Sequence, residues 1–385
     1  MSLSADYSRP RYLCLMAGIV LLVFSNGILG IVPAATWLAP VFLLRFLRTQ
    51  RPFLGFALFV PLHVIAWIIM LFGILPELGI IGNAFGFFYG LIFLIPYVVD
   101  RVLSPRLSGF PATLAFPFAV VTEENLLSVW DFTGSWFALA YTQHDNLPLV
   151  QIVSVTGLPG VAFLIAWFAS VANWIWENDF SFPEVWKGGA VYAGVFTLVH
   201  LFGGAYMAYA PADAPTVRVA GLTRSFDMDV EAAKCQGDEA CLRQLFQRSL
   251  TEFLSDSERA VENGARIILW QENGIAVFAT DEDAFVGTAR EFAMSEGVDL
   301  VMGAKVVAEN APDDENKAIL ISATGDVAEY LKNHRTPGDV HVLGDGTVQI
   351  LQSEHGTLGA IICKDFEYPS FVRQAGLAGV DIMLI

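Results

Sequence analysis

The chain has 385 residues, of which 55% are hydrophobic and 16% are charged, and its formal net charge at pH 7 is −17. Soluble globular proteins contain about 25% charged residues, so the composition argues against a protein that is soluble throughout. The acidic balance argues against a nucleic-acid partner, because phosphate binding needs clustered Lys and Arg. The abundance of aliphatic and aromatic residues excludes a disordered chain.

The charged residues divide the chain into two parts. Residues 1–210 contain 8 Lys and Arg and 10 Asp and Glu, whereas residues 211–385 contain 14 and 29. The proline-rich segment 211–215 reads as a short, stiff linker between them. We therefore predict a polytopic membrane domain over residues 1–210 and an acidic globular domain over residues 216–385.

The first part contains apolar segments that are long enough to cross a bilayer. A hydrocarbon core of about 30 Å is spanned by about 20 apolar residues in a helix. Segments such as LFVPLHVIAWIIMLFGIL lack the polar face that a helix of a soluble protein presents at helical spacing. We expect six to seven helices. The predicted spans are 12–32, 53–75, 80–99, 110–128, 148–176 and 188–209, and a shorter apolar piece, 34–44, completes a hairpin with the first.

Positive charges predict the orientation of these spans, because Lys and Arg accumulate on the cytoplasmic side. The arginines form three clusters: Arg9 and Arg11, then Arg45, Arg48 and Arg51, then Arg101 and Arg106. If the piece 34–44 crosses the membrane, alternation of the spans places all three clusters in the cytoplasm. The acidic domain is then extracytoplasmic.

Two acidic residues lie within the span 110–128, near its end. Carboxyl groups are costly in lipid, so Glu123 and Glu124 either mark a polar cavity or lie among the lipid head groups. The sequence leaves both interpretations open.

The second part alternates β-rich segments with helical patterns, which predicts an α/β domain whose sheet is buried on at least one face. The predicted helices lie near 238–262, 282–296 and 368–377. The predicted strands are 216–222, 266–270, 299–304, 318–323, 327–331, 357–363 and 381–385. Because the sequence stops on an apolar strand, we expect a truncated, incomplete domain.

Three residues with complementary chemistry stand at the ends of these strands. Glu272 follows RIILWQ, Lys332 follows VAEYL, and Cys363 closes TLGAII. A thiol becomes a strong nucleophile on losing its proton, which a carboxylate can accept, while an ammonium stabilises the thiolate and an oxyanion. Each residue alone has an ordinary structural explanation, but together they predict acyl transfer. The sequence has no HExxH, CxxC or GxxxxGK[ST] motif, so we expect neither a metal nor a cofactor.

The order of these three residues, within LWQENG, EYLKNHRTPGD and GAIICKDFEYPSF, resembles the nitrilase (carbon–nitrogen hydrolase) superfamily. Together with the multispan first part, the chain resembles the apolipoprotein N-acyltransferase family, and segment 133–174 is similar to that family's late spans. The resemblance implies an α-β-β-α sandwich after the membrane domain. It also implies a bacterial inner-membrane protein whose catalytic domain faces the periplasm.

The same resemblance implies roles for individual residues. Glu272 would be the general base, Lys332 the oxyanion stabiliser, and Cys363 the nucleophile that holds an acyl group from a phospholipid as a thioester. The acceptor would be the α-amine of a lipoprotein. Two positions depart from the family pattern and are secondary site candidates: Asp339 lies one position before the family's second glutamate, and Asp365 stands where the family has glutamate after the nucleophile.

Two alternatives remain open. A membrane-tethered amidase or nitrilase would use the same three residues with water as the acceptor, although the large membrane domain favours a lipid substrate. The chain could also be a truncated, non-catalytic membrane protein.

The remaining cysteines predict a disulfide. Cys235 and Cys241 lie six positions apart in KCQGDEAC, and an exported domain is in an oxidising compartment where such pairs form disulfides. The alternative is two unpaired cysteines on a solvated loop. Cys14 begins the first predicted span and reads as a packing residue.

Overall fold

The computed structural model describes residues 9–26, 31–72, 80–130, 133–209, 215–308, 313–336 and 339–385. The chain divides into two compact units, Met1–Ala212 and Asp213–Ile385. Three predicted segments lie partly outside the described residues. They are the linker 211–215, of which only residue 215 is described, and the ends of the spans 12–32 and 53–75.

Helices are the regular secondary structure of the first unit over the residues that are described. Its α-helices are α1 (Arg9–Val23), α2 (Pro33–Thr49), α3 (Pro52–Leu71), α4 (Ile80–Ile92), α5 (Ile95–Leu103), α6 (Ala115–Trp130), α7 (Leu147–Val150), α8 (Val153–Thr156), α9 (Leu158–Glu177) and α10 (Phe182–Tyr209). Four helical stretches of the described chain are long and apolar enough to cross a membrane: Pro52–Leu71, Asn83–Arg106, Leu158–Glu177 and Phe182–Tyr209.

Glycine and proline interrupt one predicted span. Segment 148–176 is not one helix, because Gly157 has a φ of +67°, a conformation that favours glycine, and ends the short helix α8. Pro159 then lies in the first turn of α9, where its missing N–H is not needed. The long helix of this segment therefore begins at Leu158.

A buried ion pair links three helices of this unit. The Arg48 guanidinium on α2 donates to the Asp100 carboxylate on α5 at 2.6 Å and to the Ser170 hydroxyl on α9 at 3.2 Å. The Arg48 guanidinium also pairs with Glu177 at 3.3 Å, so removing Arg48 would leave the buried Asp100 carboxylate without its cation.

The described residues of the second unit form two sheets and four α-helices. Its helices are α11 (Met228–Lys234), α12 (Glu239–Glu262), α13 (Glu282–Glu296) and α14 (Pro369–Leu377). Its strands are β1 (Val219–Leu222), β2 (Ile267–Trp270), β3 (Ile275–Phe278), β4 (Asp299–Val307), β5 (Glu315–Ile321), β6 (Val327–Leu331), β7 (Gln349–Ser353), β8 (Gly356–Ala360) and β9 (Ile382–Leu384). The first sheet has the order β1-β2-β4-β5-β6, with β3 paired to β4, and the second has the order β7-β8-β9.

The cores of this unit show four layers. On one face of the first sheet, residues such as Ile268 and Trp270 pack with Phe253 of α12 and Ala289 of α13. On its other face, Val301 and its neighbours pack against the second sheet, which the Phe371 ring of α14 also contacts. This is the α-β-β-α sandwich that the resemblance to the nitrilase superfamily implied, so that prediction is confirmed.

The predicted strands and helices of this unit are all present, and the described residues add one short α-helix and two short strands that were not predicted. Helix α11 and strands β3 and β7 have seven residues or fewer, too few for a clear periodic pattern. One prediction was wrong in detail: Cys363 does not belong to the strand before it. Strand β8 ends at Ala360, and Cys363 opens a 3-10 helix, Cys363–Glu367.

Candidate active site

A tight turn after β2 places Glu272 at the carboxyl end of the first sheet. The turn closes where the Gly274 N–H donates to the Gln271 carbonyl at 2.8 Å. Strand β4 passes directly beneath it, and a Cβ on Gly303 would lie 2.0 Å from the Gln271 carbonyl oxygen. Only glycine at position 303 lets the turn pack this closely on β4, so Gly303 fixes the height of Glu272 above the sheet.

Two donors hold one oxygen of the Glu272 carboxylate. Its Oε1 accepts hydrogen bonds from the Asn316 side-chain amide at 2.7 Å and from the Lys332 ammonium at 2.9 Å. Asn316 lies on β5 and is 5% exposed, so its position is fixed by packing. Because both donors bind Oε1, neither occupies Oε2.

Lys332 follows β6 and is buried, with a side chain 2% exposed. Its ammonium donates to Glu272 and, at 2.7 Å, to the Asp339 carboxylate. Burial lowers the pKa of Lys332, but the hydrogen bonds to Asp339 and Glu272 outweigh burial and raise the pKa above its ordinary value. Lys332 is therefore a fixed cation.

Asp339 contacts Lys332, although in the sequence it lies one position before the place of the family's second glutamate. Its carboxylate also accepts the Thr336 N–H at 3.0 Å. Burial raises the pKa of Asp339, but the bonds from Lys332 and Thr336 outweigh burial and hold the pKa below its usual range. Asp339 is therefore a carboxylate at neutral pH.

Cys363 is exposed, and its backbone φ of +43° lies in the left-handed region. Non-glycine residues adopt this region at a cost, commonly where a site needs a defined side-chain direction. Partial burial of the sulfur raises the pKa of the thiol, and the nearby Glu272 carboxylate raises it further. The positive charge of Lys332 lowers the pKa of the thiol, but by less than burial and Glu272 raise it. The resting thiol is therefore protonated near neutral pH.

Glu272 and Cys363 line one cleft of about 280 Å³ that opens to solvent. Its walls include the apolar side chains of Val301, Ala318 and Ile361. The cleft thus presents a carboxylate and a thiol in apolar surroundings, with the Lys332 ammonium bonded to the carboxylate.

Asp365 connects the loop after Lys332 to the turn after Cys363. It is fully buried and accepts hydrogen bonds from the Tyr330 hydroxyl at 2.6 Å, from the backbone N–H groups of Asn333 and His334, and from His334 Nδ1 at 2.7 Å. A buried carboxylate with this many donors fixes the two segments relative to each other. Asp365 thus ties the loop that follows Lys332 to the turn that follows Cys363.

Asn316 and Gly303 are the site residues that sequence reasoning missed. Asn316 is a polar residue inside an otherwise apolar strand, and Gly303 interrupts an apolar strand. A buried polar residue indicates a hydrogen-bond partner, and a glycine within a strand indicates a close backbone contact. Neither feature identifies the residue that makes the contact.

The second unit also pairs two of its cysteines. The sulfurs of Cys235 and Cys241 are bonded at 2.02 Å, with Cα atoms 5.6 Å apart, and the free cysteines are Cys14 and Cys363. The described residues contain no group of three or more His, Cys, Asp or Glu side chains that could hold a metal ion.

Comparison with known families gives two matches along the chain. Residues 17–171 match the family model described as apolipoprotein N-acyltransferase N-terminal domain, and residues 232–385 match the carbon–nitrogen hydrolase model. A curated protein named apolipoprotein N-acyltransferase, from Geobacter metallireducens, is 23% identical over 98% of this chain and 77% of its own length.

Solved structures with similarity include an amidase from Nesterenkonia sp. and a carbon–nitrogen hydrolase from Helicobacter pylori. The amidase is 25% identical with a TM-score of 0.31, covering 36% of this chain and 57% of its own. The hydrolase is 18% identical with a TM-score of 0.32, covering 36% of this chain and 53% of its own. The present chain thus spans little more than half the length of these two enzymes.

Proposed function

Since the chain belongs to the apolipoprotein N-acyltransferase family, we propose that it moves a fatty acyl group from a phospholipid to the N-terminal amine of a lipoprotein. The proposed intermediate is a thioester on Cys363. One observation supports this chemistry most strongly: carboxylate, ammonium and thiol, from three distant parts of the sequence, meet beside one cleft.

In the proposed first half-reaction, Glu272 takes the thiol proton as the Cys363 sulfur attacks the carbonyl carbon of a phospholipid ester. The Lys332 ammonium stabilises the negative charge that develops on the carbonyl oxygen. The carbon–oxygen ester bond then breaks, and the leaving alkoxide takes the proton back from Glu272. A lysophospholipid departs, and the acyl group stays on sulfur.

In the second half-reaction, the neutral amine of the lipoprotein attacks the thioester carbon. Glu272 accepts one proton from the nitrogen, the carbon–sulfur bond breaks, and the proton passes to the Cys363 sulfur. The product is an amide, and the enzyme returns to its starting state.

The charge arrangement supports Glu272 as the group that changes protonation. Two carboxylates, Glu272 and Asp339, share the single Lys332 ammonium. When Glu272 takes a proton, Lys332 and Asp339 remain as a balanced ion pair. Asp339 therefore keeps Lys332 positively charged throughout the proposed cycle.

The fate of the acyl group tests this function against the amidase alternative. Membranes containing the full chain would be given a phospholipid with a labelled acyl chain and a lipopeptide with a free N-terminal amine, or the same lipopeptide N-acetylated. We expect labelled amide with the free amine and none with the acetylated control. Labelled fatty acid released at the same rate with both peptides would instead indicate a hydrolase.

The raised pKa of Cys363 gives a prediction for its reactivity. Alkylation by iodoacetamide needs the thiolate, so its rate at Cys363 should rise with pH, with a midpoint above that of an ordinary thiol. Glu272→Gln removes a negative charge and should lower the midpoint, whereas Glu282→Gln, which removes a carboxylate bonded to Lys317, should leave it unchanged. Peptide mass spectrometry measures the rate at Cys363 separately from Cys14. An unchanged or higher midpoint in Glu272→Gln would contradict the assigned charge contact.

The chain is an integral membrane protein, and we propose that its α/β unit faces the periplasm of a bacterial inner membrane. Reporters fused after Gln50 or Pro105 should then read as cytoplasmic, and reporters after Ala140 or Pro215 as extracytoplasmic. A cytoplasmic reading after Pro215 would rule out this orientation, and with it access to exported lipoproteins.

A further inference from the structure

Helix α12 packs one of its faces against the segment that carries Glu272. Ser249, Phe253 and Ser257 follow each other at intervals of four positions, so their side chains lie on the same side of the helix. All three are almost fully buried. The Phe253 ring stacks on Trp270 of β2 at a centroid distance of 4.9 Å, and the Trp270 indole N–H donates to the Ser257 hydroxyl at 3.0 Å. The helix therefore contacts β2 just before the turn with Glu272.

The hydroxyl of Ser249 bonds to the turn itself. It donates to the Gly274 carbonyl at 3.1 Å, across 25 positions of the sequence. A serine inside a helix commonly donates to the carbonyl four positions before it, as Ser257 does to Phe253 at 2.6 Å. The hydroxyl of Ser249 is directed out of its own helix instead. A buried hydroxyl needs a partner, and here the partner belongs to the turn that carries Glu272.

Both ends of this turn are in close contact with neighbouring elements. At its start, Gly303 of β4 packs against the Gln271 carbonyl. At its end, the Phe253 ring lies so close to Gly274 that a Cβ there would come within 3.0 Å of the ring. Glu272 lies between these two contacts. A shift of Gly274 would therefore move the backbone from which the Glu272 carboxylate extends.

We propose that Ser249 is a positioning residue for Glu272. Its hydroxyl holds the turn where the Glu272 carboxylate bonds to Lys332 and lines the cleft with Cys363. Without this bond the turn can shift, and the carboxylate leaves the position from which it takes the thiol proton. A displacement of about 1 Å can cost about 10²-fold in rate. The inference rests on the proposed role of Glu272 as the general base.

Ser249→Ala and Ser257→Ala test this role as a matched pair. Each removes one fully buried hydroxyl from the same helix, so both should lower the temperature of unfolding. In membranes given labelled phospholipid and a lipopeptide, Ser249→Ala should reduce acyl transfer per folded molecule by about tenfold. Ser257→Ala should keep the rate within about twofold of the original chain, because its hydroxyl does not bond to the turn.

A double variant shows whether Ser249 acts through Glu272. The pH midpoint for alkylation of Cys363 by iodoacetamide reports the charge contact with Glu272, and it needs neither an acyl donor nor an acceptor. Ser249→Ala should lower this midpoint. Adding Ser249→Ala to Glu272→Gln should lower it no further, since the charge is already absent.

The outcomes separate this inference from the proposed function. An unchanged midpoint in Ser249→Ala, or an equal shift in Ser257→Ala, would overturn the positioning role. Full acyl transfer in Ser249→Ala while Glu272→Gln is inactive would also overturn it, and would leave the proposed function intact. Full transfer in both variants would instead remove the proposed role of Glu272, and the role of Ser249 with it.

Discussion

A Cys363→Ala chain is expected to form no acyl-enzyme and to lose acyl transfer by about 10⁴-fold or more, because the substitution removes the proposed nucleophile. Glu272 and Lys332 keep each other as partners in this variant, so the fold should persist. The measurement is the initial rate of amide formation in membranes at equal protein content.

Cys14→Ala is the matched control for this loss. Cys14 is the other free cysteine of the described chain, and it lies on α1 in the helical unit. Its removal should leave the rate unchanged. Full activity in Cys363→Ala would exclude Cys363 as the nucleophile.

A Lys332→Met chain is expected to lose about 10²–10³ in rate, the usual cost of removing one stabiliser of a developing oxyanion. Methionine has a similar length but no charge. The substitution also leaves Glu272 and Asp339 without their shared cation, so some stability should be lost as well.

Lys317→Met separates the catalytic loss from the structural one. Lys317 lies on the neighbouring strand β5, with a side chain 10% exposed, and pairs with the carboxylates of Glu282 and Glu315 at 2.7 and 2.8 Å. Its loss should lower the temperature of unfolding but leave the rate per folded molecule near that of the original chain. Equal rate losses in the two variants would mean that Lys332 acts through stability alone.

The apolar patterns of the longer elements predicted an α/β domain with a buried sheet, and the resemblance to the nitrilase superfamily implied the four-layered sandwich. The sequence also predicted that Glu272 and Lys332 follow strands, since polar residues directly after buried strands mark strand ends. The bend at Cys363 was not predicted, because the apolar run through Ile361 and Ile362 continues past the last paired residue of β8. The positive φ of Cys363 cannot be predicted from an apolar pattern, because the residue is not a glycine.

Long-range contacts were the other feature that the sequence could not provide. Asn316 reaches Glu272 across 44 positions, and nothing local to either residue indicates the pair. Asp339 lies one position away from the family's glutamate, yet its carboxylate contacts Lys332. This is possible because a residue in an irregular loop is not fixed by the register of a strand. In the helical unit, Glu123 and Glu124 were open to two interpretations, and the structure places them on a cavity.

Peptide mass spectrometry of Cys363 tests the central proposal most directly. Membranes with the full chain would be incubated with phospholipid and no acceptor, then with a lipopeptide that has a free N-terminal amine. A thioester at Cys363 would add an acyl mass to the Cys363 peptide in the first step and lose it to the lipopeptide in the second. Acyl transfer that proceeds while Cys363 stays unmodified, or with the acyl mass on another residue, would contradict it.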